Sequence, residues 1–433
     1  MGNYFGTDGV RGIYGKTITS ELAFDIGNAL SQIKHNPRIV VGTDTRLSGS
    51  VLMLSLSAGA VKGGANVTYV GILPTAGISY LTEKHHFDFG VMITASHNSA
   101  EYNGIKVFNS KGTKLSDEDC AFLEEFFQNK YVCERCGQFK SQLKLPEEYV
   151  SHLSASSTCN FENMKICLDA SNGASFKVAP RVFKMKNAQV CCFSCKNDGA
   201  HINDDCGSLH IENLIEKVQK TQSDIGFAFD GDADRVIAVS GSGKVFDGDK
   251  IMYILAKHLK TQGKLFANSV VGTSHTNSGI MLELNKNKIN LIRTDIGDKY
   301  VIEAMEKMNL VLGGEQSGHI IIRDYAKTGD GVLTAIKLCE VVKTSGKTLD
   351  ELFDVQMIPQ ANLNIAVKDK IKVINNENLN HLLTKISSEI APAGRILVRA
   401  SGTEEKIRVM VEYTDFEKAQ EYADQIKGLI EKI

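Results

Sequence analysis

Apolar residues recur along the chain in short runs, each followed by a glycine or polar turn and then a longer amphipathic stretch. Arg38–Thr43 (RIVVGT), Val67–Val70 and Phe89–Ile93 are predicted strands. Ser48–Gly63 is a predicted helix between them, with Ser48 as a possible cap and Gly63-Gly64 as its stop. A second block repeats the plan. Lys165–Asp169 (KICLD) predicts a strand, SNGAS a turn, Phe176–Met185 and Ile211–Lys220 helices, and Ile225–Phe229 (IGFAF) a strand. A third sets helices at Asp249–Leu259, Asp298–Met308 and Gly331–Val342 against strands at Ser269–Gly272, Ile289–Arg293 and Leu310–Leu312. This alternation argues for α/β units with largely parallel pairing. The end of the chain differs. Strands at Asn362–Val367 and Arg395–Arg399, a period-two run at Ile407–Tyr413 and a helix at Phe416–Ile430 read as a small α+β unit.

The fold class is therefore α/β, with domains at 1–150, 151–248 and 249–358 and a smaller α+β domain at 359–433; Ser151–Thr158 (SHLSASST) has the composition of a linker. The length, 433 residues, fits this count. Hydrophobic residues at 42% and charged residues at 23% exclude a disordered, collagenous or coiled-coil chain. A net charge of −2 leaves no basic reservoir for a phosphate backbone, so no nucleic acid is expected as a partner. The longest apolar stretch, Val51–Val61, is broken by Ser55 and Ser57 and falls short of the ~18 residues of a membrane span, so no membrane is expected either. The start, MGNYFGTDGVRG, carries no export signal, and Gly6 stands where a myristoylation start needs Ser or Thr. A cytoplasmic location is the expectation. Two of the ten cysteines form Cys133/Cys136 and two Cys192/Cys195, pairs too far apart for a zinc ribbon, so reduced thiols are expected.

Four loops carry candidate chemistry. Asp230-Gly-Asp-Ala-Asp-Arg235 sets three carboxylates at i, i+2 and i+4 just after an apolar strand. In a loop they can converge on one cation, and oxygen ligands without His or Cys select Mg²⁺ or Ca²⁺. Thr94-Ala-Ser-His-Asn98 puts a hydroxyl and a histidine at a strand end, a candidate nucleophile or phosphate carrier; Asn103-Gly-Ile-Lys106 adds a turn and a cation. Gly313-Gly-Glu-Gln-Ser-Gly-His319 offers Glu315 and Ser317 for sugar hydroxyls and His319 to move a proton. Arg399-Ala-Ser-Gly-Thr-Glu-Glu-Lys-Ile-Arg408 offers Ser401, Thr403, the backbone at Gly402, and two guanidinium forks for a phosphate. Together they ask for phosphoryl transfer on a small polyol. A phosphatase-like hydrolase with Asp230 as nucleophile and a non-catalytic sugar-phosphate sensor are the rival classes.

The chain resembles the α-D-phosphohexomutases over nearly its whole length, through these four loops in this order and through Gly6–Gly12, Asp44–Ser48 and Thr328–Gly331. The Gln of GEQSGH and the segment Arg293–Tyr300 point to its glucosamine branch, with a phosphomannomutase or phosphoglucomutase as the alternative. The resemblance implies a heart-shaped arrangement of three related α/β domains with mixed sheets and a small C-terminal domain like the TATA-binding protein. It implies that Ser96 carries a phosphoryl group, and that Ser96, Asp230, Asp232 and Asp234 hold one Mg²⁺ per active site. Arg11 and His97 would sit at that phosphate, with Lys106 and His319 as proton movers. Arg235, Glu315, Ser317, Arg399, Ser401, Gly402, Thr403 and Arg408 would bind the sugar phosphate. Glucosamine 6-phosphate and glucosamine 1-phosphate would interconvert through a hexosamine 1,6-bisphosphate, feeding UDP-N-acetylglucosamine and cell-wall precursors. A monomer or a homodimer would serve. Three positions depart from the family: Ser99 where Pro commonly follows, Ala400 where Lys is frequent, and Glu405 where Pro is usual. The first should loosen its loop, and the other two weaken the positive character of theirs.

Overall fold

The computed structural model describes residues 4–6, 8–127, 136–401 and 405–433. Cys133, Gly402 and Thr403, named above, lie outside them. The described residues group into two units. The first takes residues up to 275 together with 287–354, and the second takes 276–286 and 355–433. No helix among the described residues is long and apolar enough to cross a membrane.

The first unit holds three sheets. One is built from β1 (Val10–Ile13), β2 (Arg38–Thr43), β3 (Asn66–Ile72), β4 (Phe89–Ile93), β5 (Tyr102–Asn109) and β6 (Phe139–Ser141), in the order β1-β5-β4-β2-β3-β6. Its centre is parallel, but β5 runs antiparallel to both β4 and β1. The next has β7 (Lys165–Asp169), β8 (Gln189–Phe193), β9 (Ile225–Phe229), β10 (Val236–Ser240) and β11 (Val245–Phe246), in the order β11-β10-β9-β7-β8. The third has β12 (Ser269–Thr273), β13 (Asn290–Thr294), β14 (Leu312–Gly314) and β15 (Ile320–Ile322), in the order β13-β12-β14-β15. All three are mixed, because each ends in an antiparallel hairpin that a strand–helix count does not see. The central strands β4, β7 and β9 lie where their apolar runs place them. They are buried on both faces, as helices on each side of a sheet require.

The second unit is an antiparallel sheet of β16 (Gln360–Ala366), β17 (Arg395–Ala400) and β18 (Lys406–Glu412), in the order β16-β18-β17, with helices at Glu377–Ile390 and Phe416–Ile430. Its core gathers Leu379, Ile386, Ile407, Val409, Ala423 and Ile426.

Three local expectations change. The stretch Ser151–Thr158 begins inside a helix, Pro146–Ala155. Pro146 opens that helix, Glu147 and Glu148 suit its first turn, and Tyr149, Val150 and Leu153 bury one face. Asn103-Gly104 is strand, not turn. A Cβ on Gly104 would stand 2.6 Å from the carbonyls of Thr94 and Val10, so only glycine lets β5 pass between its neighbours. Ser48 makes no cap bond; its Oγ accepts from Asn103 Nδ2 at 2.8 Å.

Candidate active site

β4 hands the chain directly to Thr94–Asn98. Ser96 is fully buried and adopts a left-handed backbone, φ 51°. Its N–H donates to Thr94 Oγ1 at 2.9 Å, and Thr94 Oγ1 donates to Asp44 Oδ2 at 2.7 Å. Asp44 pairs with Arg46 Nε at 2.9 Å, neither side chain having any exposure. Arg46 then grips the loop by its carbonyls. Nη2 donates to Ser96 O (3.0 Å) and Asn98 O (2.6 Å), and Nη1 to Tyr102 O (2.9 Å) and to Ser99 O. Asn203 Nδ2 donates to Ser96 O and Asn98 O as well, at 2.9 Å each. The loop without its proline is therefore not loose: the Ser99 carbonyl is fixed by Arg46 and by Tyr102 N–H at 3.1 Å.

The turn between β9 and β10 carries the carboxylates. Ala233 sits at φ 56°, and its N–H closes the turn on Asp230 O at 3.0 Å. The turn rests on the Ser171-Asn172-Gly173 turn, where a Cβ on Gly173 would lie 2.3 Å from Gly231 O. Oxygens of Asp230, Asp232 and Asp234 come within 4.8 Å of one another, all three residues buried. Asp230 Oδ2 accepts from Ser96 Oγ at 2.5 Å. Asp232 Oδ2 accepts from Thr75 Oγ1 (2.5 Å) and Lys106 Nζ (2.8 Å), and Asp234 Oδ2 from Lys106 Nζ (2.9 Å). The other oxygens of Asp232 and Asp234 are buried with no hydrogen-bond partner. Carboxylate oxygens without a hydrogen bond in a sealed trio fit a hard divalent cation, although Asp234 Oδ1 also faces His319 and Arg235. Burial, and then the charges of Asp234 and Asp232, push the Asp230 carboxyl well above its ordinary value. Burial acts the same way on Asp234, but Lys106 and His319 outweigh it and hold that carboxyl down.

Around the trio runs a closed ring of alternating charges. Lys106 Nζ reaches Asp234 (2.9 Å) and Asp8 (3.3 Å), Asp8 meets Lys114 (2.5 Å), and Lys114 meets Asp298 (2.5 Å). His319 closes the ring, with Nε2 3.6 Å from Asp298 and Nδ1 3.7 Å from Asp234. Burial alone would lower Lys106 and His319, but the neighbouring carboxylates reverse this and raise both. His97 behaves oppositely. Burial, then Arg235 and Arg11, bring its imidazole down to about 4, and its Nδ1 lies 3.4 Å from Ser96 Oγ. Arg11 donates to Asn98 Oδ1 at 3.2 Å and pairs with Asp8. Arg235 N–H donates to Asp230 Oδ1 (3.1 Å), while its buried Nε has no hydrogen-bond partner and lies 3.8 Å from Asp234. Glu315 accepts from Gly297 N–H at 3.1 Å, and burial raises its carboxyl.

Arg11, Ser96, His97, Lys106, the three aspartates, Arg235 and His319 thus form one connected cluster. Glu315 adjoins it through its backbone, its N–H donating to His319 O at 3.0 Å, and Ser317 is exposed on the same turn as Glu315. Arg399, Ser401 and Arg408 belong to the second unit. There Arg399 and Arg408 are direct partners across β17 and β18, and Lys370 Nζ donates to Ser401 O at 3.1 Å. Thr75, Asp8, Lys114, Asp298 and Asn203 were not found by reading the sequence. Asp8 and Asp298 lie inside matched motifs, but nothing local says that each faces a lysine.

The four domain profiles of the phosphoglucomutase/phosphomannomutase family match in order. The alpha/beta/alpha domains I, II and III match residues 2–132, 147–243 and 247–358, and the C-terminal domain matches 363–429. The phosphoglucosamine mutase of Staphylococcus epidermidis is 42% identical over 444 residues, covering 100% of this chain and 98% of that protein. The phosphoglucosamine mutase of Acetivibrio thermocellus is 43% identical over 451 residues, with 100% and 99% covered. A phosphoglucomutase/phosphomannomutase family protein from Burkholderia thailandensis has the same fold, with a TM-score of 0.84 at 22% identity over 98% of this chain and 97% of its own.

Proposed function

The chain belongs to the phosphoglucomutase/phosphomannomutase family, and on that footing we propose that it interconverts glucosamine 6-phosphate and glucosamine 1-phosphate through a phosphorylated Ser96. The observation that carries this reading is the buried Ser96 hydroxyl, already hydrogen-bonded at 2.5 Å to one member of an acidic trio. Phosphoserine brings about −1.5 to −2 of charge. Asp230, Asp232 and Asp234, with an oxygen of that phosphate, would hold Mg²⁺, which when bound supplies the charge neutralisation that phosphoryl transfer needs.

The chain's own residues do the rest. Arg46 and Asn203 fix the Ser96 backbone, so Oγ presents one lone pair to an incoming phosphorus without reorganising the loop. His97 Nδ1 and Asp230 Oδ2 are the two acceptors within reach of its proton. Lys106 stands as an ammonium at the inner edge of the trio, placed to donate to a leaving oxygen, and His319 is the second proton mover. Arg11 and the unbonded Nε of Arg235 are donors for phosphoryl oxygens. Glu315 and Ser317 read sugar hydroxyls, which must serve in both orientations if a 1,6-bisphosphate turns over in the site. Arg399, Ser401, Gly402, Thr403 and Arg408 bind the phosphate that is not reacting. The proposed domains are 1–150, 151–248, 249–358 and 359–433, and the proposed setting is a cytoplasm that consumes the product in amino-sugar nucleotide synthesis.

The test is a competition of glucosamine 6-phosphate, glucose 6-phosphate and mannose 6-phosphate on phosphorylated enzyme with Mg²⁺. The expected result is the highest kcat/KM for the amino sugar. A preference for glucose or mannose would replace the substrate and keep the chemistry. Ser96→Ala with near-normal turnover would sink the phosphoserine.

A further inference from the structure

Cys192 and Cys195 take no part in the site described above. Among the described residues β8 is the outer strand of its sheet and pairs with β7 alone. Neighbouring residues on a strand face opposite ways. Cys191 packs with Cys167, Leu214 and Val218, while Cys192 is exposed. The chain leaves β8 at Phe193, turns through Ser194 at φ 45°, and brings Cys195 Sγ to 3.9 Å from Leu168 O on β7. The turn leaves the two thiols three residues apart at the end of one strand, in electrostatic contact with each other. That contact lowers the Cys192 thiol and, with burial, raises Cys195. An accessible, more acidic thiol beside a half-buried, less acidic one is the polarity of an attacking and a resolving pair.

The turn is also tied to the serine loop. Ser194 O accepts from Asn172 N–H at 2.6 Å, and Asn172 Oδ1 accepts from Lys196 N–H at 3.2 Å, so both neighbours of Cys195 hold Asn172. Asn172 O accepts from Thr45 Oγ1 at 2.5 Å. Thr45 lies between Asp44 and Arg46, the pair that grips the Ser96 loop.

We propose that Cys192 and Cys195 are a modification site for thiol oxidants, closing a reversible disulfide that acts on the Ser96 loop through Asn172 and Thr45. With a peroxide, the Cys192 thiolate attacks one oxygen and the O–O bond breaks, leaving a sulfenic acid and one water. The Cys195 sulfur then attacks the Cys192 sulfur, the S–O bond breaks and a second water leaves. Two thiols give up two electrons and two protons, and one peroxide takes them. Only the effect on turnover rests on the function proposed for Ser96; the cross-link itself is read by mass.

The full chain is treated with hydrogen peroxide, its remaining thiols are alkylated, and the digest is sequenced by tandem mass spectrometry. The expected product is a Cys192–Cys195 cross-link, lighter by two hydrogens, reversed by dithiothreitol and absent in C195S. Turnover falls with the cross-link and recovers with its reduction, while C195S keeps the untreated rate and loses the peroxide response. Oxidation at exposed Cys136 ahead of Cys192, or no cross-link, overturns the site. A cross-linked chain with unchanged kcat overturns the link to the Ser96 loop.

Discussion

Arg46→Lys and Asn203→Ala, made singly and together, test how the serine loop is held. Both wild-type side chains donate to the same two carbonyls, Ser96 O and Asn98 O. A lysine at 46 keeps a charge for Asp44 but has no fork to span Asp44 and four carbonyls. In either single variant each shared carbonyl retains one donor. In the double variant both lose their last. A buried acceptor stripped of its partner costs about 1–3 kcal/mol. Counting only one of the two stripped carbonyls, the double variant should therefore fall at least about 5-fold further in kcat/KM than the product of the two single losses. The assay is glucosamine 6-phosphate turnover on phosphorylated enzyme, with circular dichroism to show that each variant folds. If the losses multiply to within about twofold, the ~0.3–0.5 kcal/mol of independent sites, the shared grip is refuted.

Three further outcomes are expected. Gly173→Ala drives a Cβ to 2.3 Å from a backbone oxygen of the acidic turn, so it should cost about 1–3 kcal/mol of stability and weaken Mg²⁺ binding by calorimetry; wild-type values for both would count against the close approach. Burial raises the Asp169 carboxyl to about 7, against N–H bonds from Gly207 and Ser171, so its ¹³C resonance should titrate near there. Because the folded state holds this proton more tightly than the unfolded chain, its contribution to stability is complete below pH 3.8 and is lost as pH rises through about 7. Tyr149→Phe removes a buried 2.8 Å bond to Asp330, whose other oxygen caps the helix Gly331–Ser345, and should lower stability by about 1–3 kcal/mol; an unmoved melting curve would dismiss it.

The central strands were legible because a strand buried on both faces must be apolar throughout, and FGVMI and IGFAF are. β5 was not. Its sequence YNGIKVFN opens with a turn dipeptide and carries a lysine, which solvent would ordinarily claim. Lys106 is buried only because Asp8, Asp232 and Asp234 arrive from elsewhere in the chain. The same reason hides Asn203 and Thr75, each acting on a backbone or carboxylate far off in sequence; Arg46 lies in the Asp44–Ser48 motif, but nothing local says that it grips the Ser96 loop. Ser96 and the three aspartates were legible because their chemistry is packed into a few consecutive residues. The helix Pro146–Ala155 was missed through its serine-rich end, although Tyr149, Val150 and Leu153 set out its buried face.

The ring of Asp8, Lys106, Asp234, His319, Asp298 and Lys114 binds the heredity of three sheets together. Three members stand on or beside the first sheet, Asp234 on the second, and His319 and Asp298 on the third. A recombinant that drew its sheets from different parents would bring together halves of charge pairs that had never met. One mismatch leaves a buried charge unanswered, at about 3–5 kcal/mol, enough to remove most such hybrids from a library. Exchanging the lysine and the aspartate at 114 and 298 alone would not rescue them, because it would set like charges against Asp8 and His319, so survivors should carry the whole ring of one parent.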